Sequence, residues 1–181
     1  MSSPTQEFRA LYDAHFDFVW CSLRRLGVRE PDVVDLAQKV FLTVHAKLHA
    51  FEGRSRVSTW LFGICQRVAS DYRRSAAFRR EIATDATDIA RLLEARDDAA
   101  SQTEVRRQSE LAEALLNQLP EEQRVVFVLF ELEERSGQEI AELLELPVGT
   151  VRSRLRLARE AFSREVKRLA LVEGAGRREA G

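Results

Sequence analysis

Apolar residues return at intervals of three and four along most of this chain, a pattern that buries its hydrophobic side chains only as packed helices. Phe8, Leu11, Tyr12, His15, Phe16, Val19, Trp20, Leu23 and Leu26 predict a first helix over about Gln6–Leu26, with Gly27 placed to end it. Pro31, favoured in a first helical turn, opens a second helix to about His49, with Val33, Ala37, Val40, Phe41, Val44 and Leu48 inward. After the loop FEGRSRV, Ser58 is the expected N-cap of a third helix running to about Arg74, with Trp60, Leu61, Ile64, Val68 and Tyr72 inward. Only four prolines and eight glycines punctuate the 181 residues, and no strand alternation competes with the helical reading. Three helices of this size make a compact helical domain.

The periodicity fades over residues 81–107, which turn acidic and rich in Ala, Ser and Thr, so a linker is expected there, with a loose helical segment around Ile89–Ala95. Order resumes at Glu110 with Leu111, Leu115, Leu116 and Leu119. Pro120 breaks the chain before a helix EEQRVVFVLFELEE, and Ser136 caps a short helix GQEIAELLEL. Pro147 stops that helix, and Val148-Gly149-Thr150 leads into a final one reaching about Leu171, followed by a polar tail, EGAGRREAG. The expected fold class is therefore all-α: two small helical domains at 1–80 and 108–171, an acidic linker at 81–107, and a flexible tail at 172–181.

The net charge of −1 conceals a segregation of sign. Residues 53–80 carry seven arginines and one acid, and residues 148–168 seven basic residues and two acids. Residues 81–104 hold seven acids against two bases, and residues 121–145 eight against two. Two basic blocks flanked by acidic ones suggest two places that meet phosphate, in a protein that does not bind DNA indiscriminately. Cys21 and Cys65 sit far apart within apolar patterns and read as buried structural thiols. His45 and His49 have the i, i+4 spacing of a metal pair, but nothing completes a ligand set, so no metal or cofactor is expected. The N-terminus lacks a basic start followed by an apolar core, and no apolar run is long enough to span a bilayer, so a cytoplasmic protein is expected.

The segment SGQEIAELLELPVGTVRSRLRLAREAF has the spacing of two helices joined by a tight turn. Val151, Leu155, Ala158 and Phe162 share the inward face of the last helix, while Arg152, Arg156 and Arg159 share another, with Ser153 beside them. Arginines on such a face reach base edges in the major groove, whereas a merely solvated face would not account for the short preceding helix, the proline stop and the Gly-Thr start. Arg152, Ser153 and Arg156 are the expected base readers; Thr150, at the helix start, and Arg159 are expected on phosphate. Leu157 is off the inward stripe, either a surface leucine or a contact to a thymine methyl. On the second helix, Asp35, Gln38, Lys39 and Leu42 lie opposite the core stripe, and an exposed leucine ringed by polar groups marks a candidate protein-binding face.

EIAELLELPVGTVRSRLRLAR, with LNQLPEEQRVVFVLFELEE before it, resembles region 4 of bacterial sigma-70-type factors, in particular the extracytoplasmic-function (ECF) group. DVVDLAQKVFLTVHAKLHAFEGRSRVSTWLFGICQRVASDYRR is similar to region 2, and the two motifs stand in the family's order over nearly all of residues 5–170. The resemblance implies a non-enzymatic promoter-specificity subunit that docks on core RNA polymerase, through the β′ clamp helices and the β flap, and recognises promoter DNA at the minus-ten and minus-thirty-five elements. It implies that Asp35, Gln38, Lys39 and Leu42 meet the clamp helices. It also places Arg54, Arg56, Arg67, Arg73 and Arg74 along the minus-ten strand; Phe62, off the core stripe, is the expected stacking face there, whereas Trp60, on the stripe, is expected to pack inward. The acidic linker would then thread a basic channel of the polymerase, and a helical anti-sigma partner is a further implication. Three positions depart from the family pattern: Lys39 replaces an acid, Arg67 an asparagine and Leu157 an arginine. A stand-alone helix-turn-helix regulator leaves the region 2 segments unexplained. A sigma-like protein that only sequesters a partner has Lys39 and Arg67 as its support, and no nucleophile–base set or phosphate-cradling loop supports an enzyme.

Overall fold

The computed structural model describes residues 4–53, 55–75 and 104–179, and all regular structure among them is helical. Arg54, the linker segment 81–103 and the helical segment expected around Ile89–Ala95 lie outside the described residues. The chain divides into two compact units.

In the first unit, α1 (Pro4–Arg25), α2 (Val33–Lys47) and α3 (Val57–Arg74) pack against one another in all three pairings. Gly27 ends α1 in a left-handed conformation (φ 90°), as its position predicts. The Val28 amide reaches back to the Leu23 carbonyl (3.0 Å) and the Gly27 amide to Arg24 (2.9 Å), a Schellman closure with Leu23 and Val28 both buried beneath it. Val19, Leu23, Val33, Val40, Val44 and Leu61 are fully buried at the centre, each worth roughly 1.5–3 kcal/mol of transfer free energy. Tyr12 and Phe16 from α1 lie on Phe41 of α2, with ring centroids 4.5 and 6.3 Å away.

Several expectations need correction. Helix α2 is preceded by a 3-10 turn at Glu30–Asp32 and followed by another at Leu48–Ala50, so His49 is not on the same helix as His45, whose ring packs edge-on against Phe8 at 5.0 Å. Ser58 does not cap α3: the cap position is Arg56, without a side-chain bond, and Ser58 lies inside the helix. The buried arc of α3 is wider than one stripe because the helix packs on both α1 and α2; it includes Phe62, Cys65 and Ala69 and leaves Trp60 at its edge. Cys21 is exposed and only Cys65 is buried. A long-range bond closes the unit: the Tyr72 hydroxyl, near the end of α3, donates to Asp32 Oδ2 at 2.6 Å, just ahead of α2. Burial, then this bond to a carboxylate, push the Tyr72 phenol up to about 12.

In the second unit, α4 (Glu104–Asn117) begins earlier than expected, inside the segment read as linker. Helix α5 (Glu121–Phe127) widens into a π-helical turn, Val128–Leu132, closed by the Glu133 amide on the Val128 carbonyl at 3.0 Å. Helix α6 (Gly137–Leu144) starts in a full capping box: the Glu139 amide donates to Ser136 Oγ (3.2 Å) and the Ser136 amide to Glu139 Oε2 (2.8 Å). It ends at Glu145 in the left-handed conformation (φ 54°), ahead of Pro147. Helix α7 runs Val148–Glu179, so its backbone continues through most of the segment expected as a flexible tail. The Ala, Arg and Glu content of residues 172–179 favours the continuation, with Gly174 and Gly176 tolerated.

The core joins Val126, Val128 and Leu129 to Ile140 of α6 and Val151, Leu155 and Ala158 of α7, with Phe127 stacked on Phe162 at 5.0 Å. A second cluster sets Leu111 and Leu115 of α4 with Leu169 of α7. Arg124 is 1% exposed, a buried charge where the sequence pattern shows only a polar position. Its guanidinium donates to Asn117 Oδ1 (3.0 Å), the Asn117 carbonyl (2.8 Å) and the Leu119 carbonyl (2.9 Å). Those carbonyls are the orphaned acceptors at and just beyond the end of α4, so Arg124 caps the negative end of a helix from the next element.

Candidate nucleic-acid interface

Helix α7 enters its domain through Val151, Leu155 and Ala158, and that burial fixes which side chains face out. Arg152, Ser153, Arg156, Leu157 and Arg159 are all exposed on the first four turns, as their spacing predicts, and Leu157 is 41% exposed. Thr150 is half-buried in the first turn, where its own amide already donates to the Pro147 carbonyl (2.9 Å). The free donors there are thus the preceding amides of Val148 and Gly149, and a Cβ added to Gly149 would meet no atom of the domain within 4 Å. The first turn is open to an anion from outside. Ser153 Oγ donates to the Thr150 carbonyl (2.9 Å), which leaves its oxygen as an acceptor for a base.

The arginines of this face are not equivalent. Arg156 Nη1 donates to Glu160 Oε1 at 2.6 Å, one turn further on. Arg159 Nε donates to Glu131 Oε1 at 2.6 Å, and its guanidinium lies 5.2 Å from the centre of the Phe130 ring. Both partners of Arg159 come from the π-helical turn, which therefore aims an acid and an aromatic face at the arginine helix. Arg154 is off this face and pairs with Glu122 of α5. Arg152 pairs with no acid among the described residues and lines a cleft of about 350 Å³ with Phe130, Gln138 and Val148. The acids missed by sequence reading, Glu131 and Glu122, lie in the acidic block 121–145, whose role the charge segregation alone does not reveal.

In the first unit, Asp35, Gln38, Lys39 and Leu42 are all exposed on one side of α2, and Leu42 is 70% exposed. That side is opposite Val33, Val40 and Val44, as expected. On α3 the basic residues behave less uniformly. Arg56 and Arg67 are exposed, Arg73 is half-buried, and Arg74 is exposed but bonded to Asp71 at 2.6 Å. Phe62 is only 1% exposed, so the expected stacking face is part of the core. The aromatic surface near the start of α3 is instead the half-buried pair Phe51 and Trp60, with centroids 4.8 Å apart. Among the described residues no group of three or more His, Cys, Asp or Glu could hold a metal, and no helix is long and apolar enough to cross a membrane.

Two family models match the chain: sigma-70 region 2 over residues 11–79 and sigma-70 region 4 over residues 109–162. The chain is 34% identical over 145 residues to the ECF RNA polymerase sigma-E factor of Escherichia coli strain K12, covering 76% of this chain and 75% of that protein. It resembles solved CnrH, in complex with the cytosolic domain of CnrY, at a TM-score of 0.62 and 25% identity, over 90% of this chain and 89% of that one. It shares the fold of RpoE from Bartonella quintana, in complex with the anti-sigma factor NepR, at a TM-score of 0.59 and 19% identity, over 90% of this chain and 98% of that one. Two helical units in this order, each with its motif in place, carry one conclusion: the chain belongs to the ECF group of sigma-70 RNA polymerase sigma factors, non-enzymatic subunits that direct transcription initiation.

Proposed function

We propose that the two units divide promoter recognition between them, within approximate bounds of 1–80 and 108–171. The α2 face of Asp35, Gln38, Lys39 and Leu42 docks on the β′ clamp helices of core polymerase, and region 4 sits on the β flap. The observation that carries the docking assignment is Leu42, a large apolar side chain 70% exposed among polar neighbours on a helix whose other side is fully buried. Arg54, Arg56, Arg67, Arg73 and Arg74 follow the unpaired minus-ten strand, with Phe51 and Trp60 as the aromatic faces beside them. On α7, Arg152, Ser153 and Arg156 read base edges of the minus-thirty-five duplex, Thr150 and Arg159 hold phosphate, and Leu157 meets an apolar feature such as a thymine methyl. The protein works in the cytoplasm, where an anti-sigma partner holds it idle, a reading supported by the anti-sigma complex of its structural relative.

Run-off transcription with core polymerase, over the genomic region that encodes the protein, tests the whole assignment. Leu42→Glu is expected to lose co-elution with core polymerase while its helical content is unchanged. Arg152→Ala is expected to keep polymerase and lose promoter selection. Polymerase binding without transcription from any promoter would instead mark a sequestering protein, and tight duplex binding by the free protein at physiological salt a stand-alone regulator.

A further inference from the structure

Helix α7 continues well past residue 162, where the region 4 match ends, and its outer face keeps a basic character. Arg152, Arg156, Arg159, Ser163 and Lys167 recur at intervals of four, three, four and four, which keeps them on one stripe of the helix. From Arg152 to Lys167 that stripe is about 22 Å long at 1.5 Å per residue. Arg159, Glu160, Ser163, Arg164 and Lys167 line a shallow open groove of about 400 Å³. Arg164 and Lys167 are exposed and pair with no acid among the described residues. The nearby acids are occupied: Glu160 by Arg156 and Glu165, on the domain side, by Arg168. The uncompensated cations thus lie at the two ends of the stripe, Arg152 at one and Lys167 at the other, with Arg164 beside Lys167 in the groove.

We propose that Arg164 and Lys167, with the Ser163 hydroxyl, hold the phosphodiester backbone of the duplex flanking the minus-thirty-five element. The proposal rests on the reading that the N-terminal turns of α7 enter the major groove there. A straight helix follows a curved groove for only a few turns, so its far end leaves the bases and meets the adjacent strand's backbone. A lysine there is a point charge suited to phosphate and poorly suited to bidentate base reading. This interaction is independent of sequence, so it strengthens binding without adding to promoter choice.

The test uses holoenzyme assembled from core polymerase and the full chain, on a promoter fragment identified by the run-off assay, with Arg164→Ala/Lys167→Ala against wild type. Both changes are at exposed helical positions where alanine favours helix, so folding is retained. Removing one phosphate-bound cation lowers the slope of log affinity against log salt by about 0.9. The double variant should therefore lose about tenfold less affinity than wild type between about 50 and 200 mM salt, with base preference unchanged. On a duplex trimmed on either flank to the edge of the minus-thirty-five element, one of the two trimmings should abolish the difference from wild type. Equal salt slopes on the untrimmed promoter would overturn the proposal, and Arg152→Ala then shows what has failed. If that variant loses promoter selection, only the backbone interaction is wrong; if it does not, the reading of α7 as the duplex reader is wrong as well.

Discussion

Replacing Arg124 with methionine removes three hydrogen bonds from a guanidinium while keeping an unbranched side chain in the same space. Bonds made by a charged donor contribute about 1.5–3 kcal/mol each, and a buried carbonyl left without a donor costs about 1–3 kcal/mol. Against that stands the relief of no longer burying a cation, which is several kcal/mol and cancels much of the gain. Two carbonyls, those of Asn117 and Leu119, lose a donor, so the expected net loss is about 2–4 kcal/mol, confined to the second unit. With a urea slope of about 1.5 kcal/mol/M, the unfolding midpoint of that unit should fall by about 1.3–2.7 M. The chain carries its own control, because both tryptophans, Trp20 and Trp60, are in the first unit. Tryptophan fluorescence should therefore show an unmoved transition while far-ultraviolet circular dichroism shows an earlier one. Lysine at the same position keeps the charge but not the fork, and should recover less than half of the loss. A shift below about 0.5 M in Arg124→Met would refute the cap as a stabilising device.

Three further outcomes follow from the geometry. Glu131→Gln should free Arg159 for phosphate, tightening binding to non-specific duplex and steepening the salt slope by about one; an unchanged slope would show that the Glu131 pair does not restrain DNA binding. The Tyr72 phenol is raised from 10.0 to about 12, so its stabilising contribution is complete below pH 10 and disappears as pH rises through 12. The stability gap between wild type and Tyr72→Phe should close over that window, and a gap independent of pH would contradict the Asp32 bond as its origin. Glu145→Gly should stabilise the second unit by about 0.5–1 kcal/mol, because relief of left-handed strain exceeds the entropy glycine adds to the unfolded chain. A lower melting temperature in that variant would show that the Glu145 side chain has a role the backbone does not reveal.

Much of this architecture was legible from spacing and punctuation. Gly27 ends α1, Ser136 opens α6, and the outward arginines of α7 follow directly from the inward Val151, Leu155 and Ala158. What escaped was whatever depends on a second partner. Phe62 falls off a single-helix stripe, yet α3 has two neighbours and needs a broader apolar arc, so it is core. Cys21 has an apolar sequence context but faces solvent. Glu145 carries a helix end with none of the residues that usually mark one, and the turn type is invisible without Gly or Asn. The π-helical turn also has no sequence signature, so the pairing of Glu131 and Phe130 with Arg159 emerges only from the fold.

The Tyr72–Asp32 bond joins residues 40 positions apart, and it does so between the two helices with different proposed clients. Asp32 abuts the start of the helix proposed to offer Leu42 to polymerase; Tyr72 precedes Arg73 and Arg74, which are proposed to follow the unpaired strand. Free-energy coupling between two binding events is reciprocal, so under the roles proposed for α2 and α3 any tightening of one event by the other would be matched in return. The bond thus ties the entry of α2 to the end of α3, so neither end can shift away from the other without breaking it.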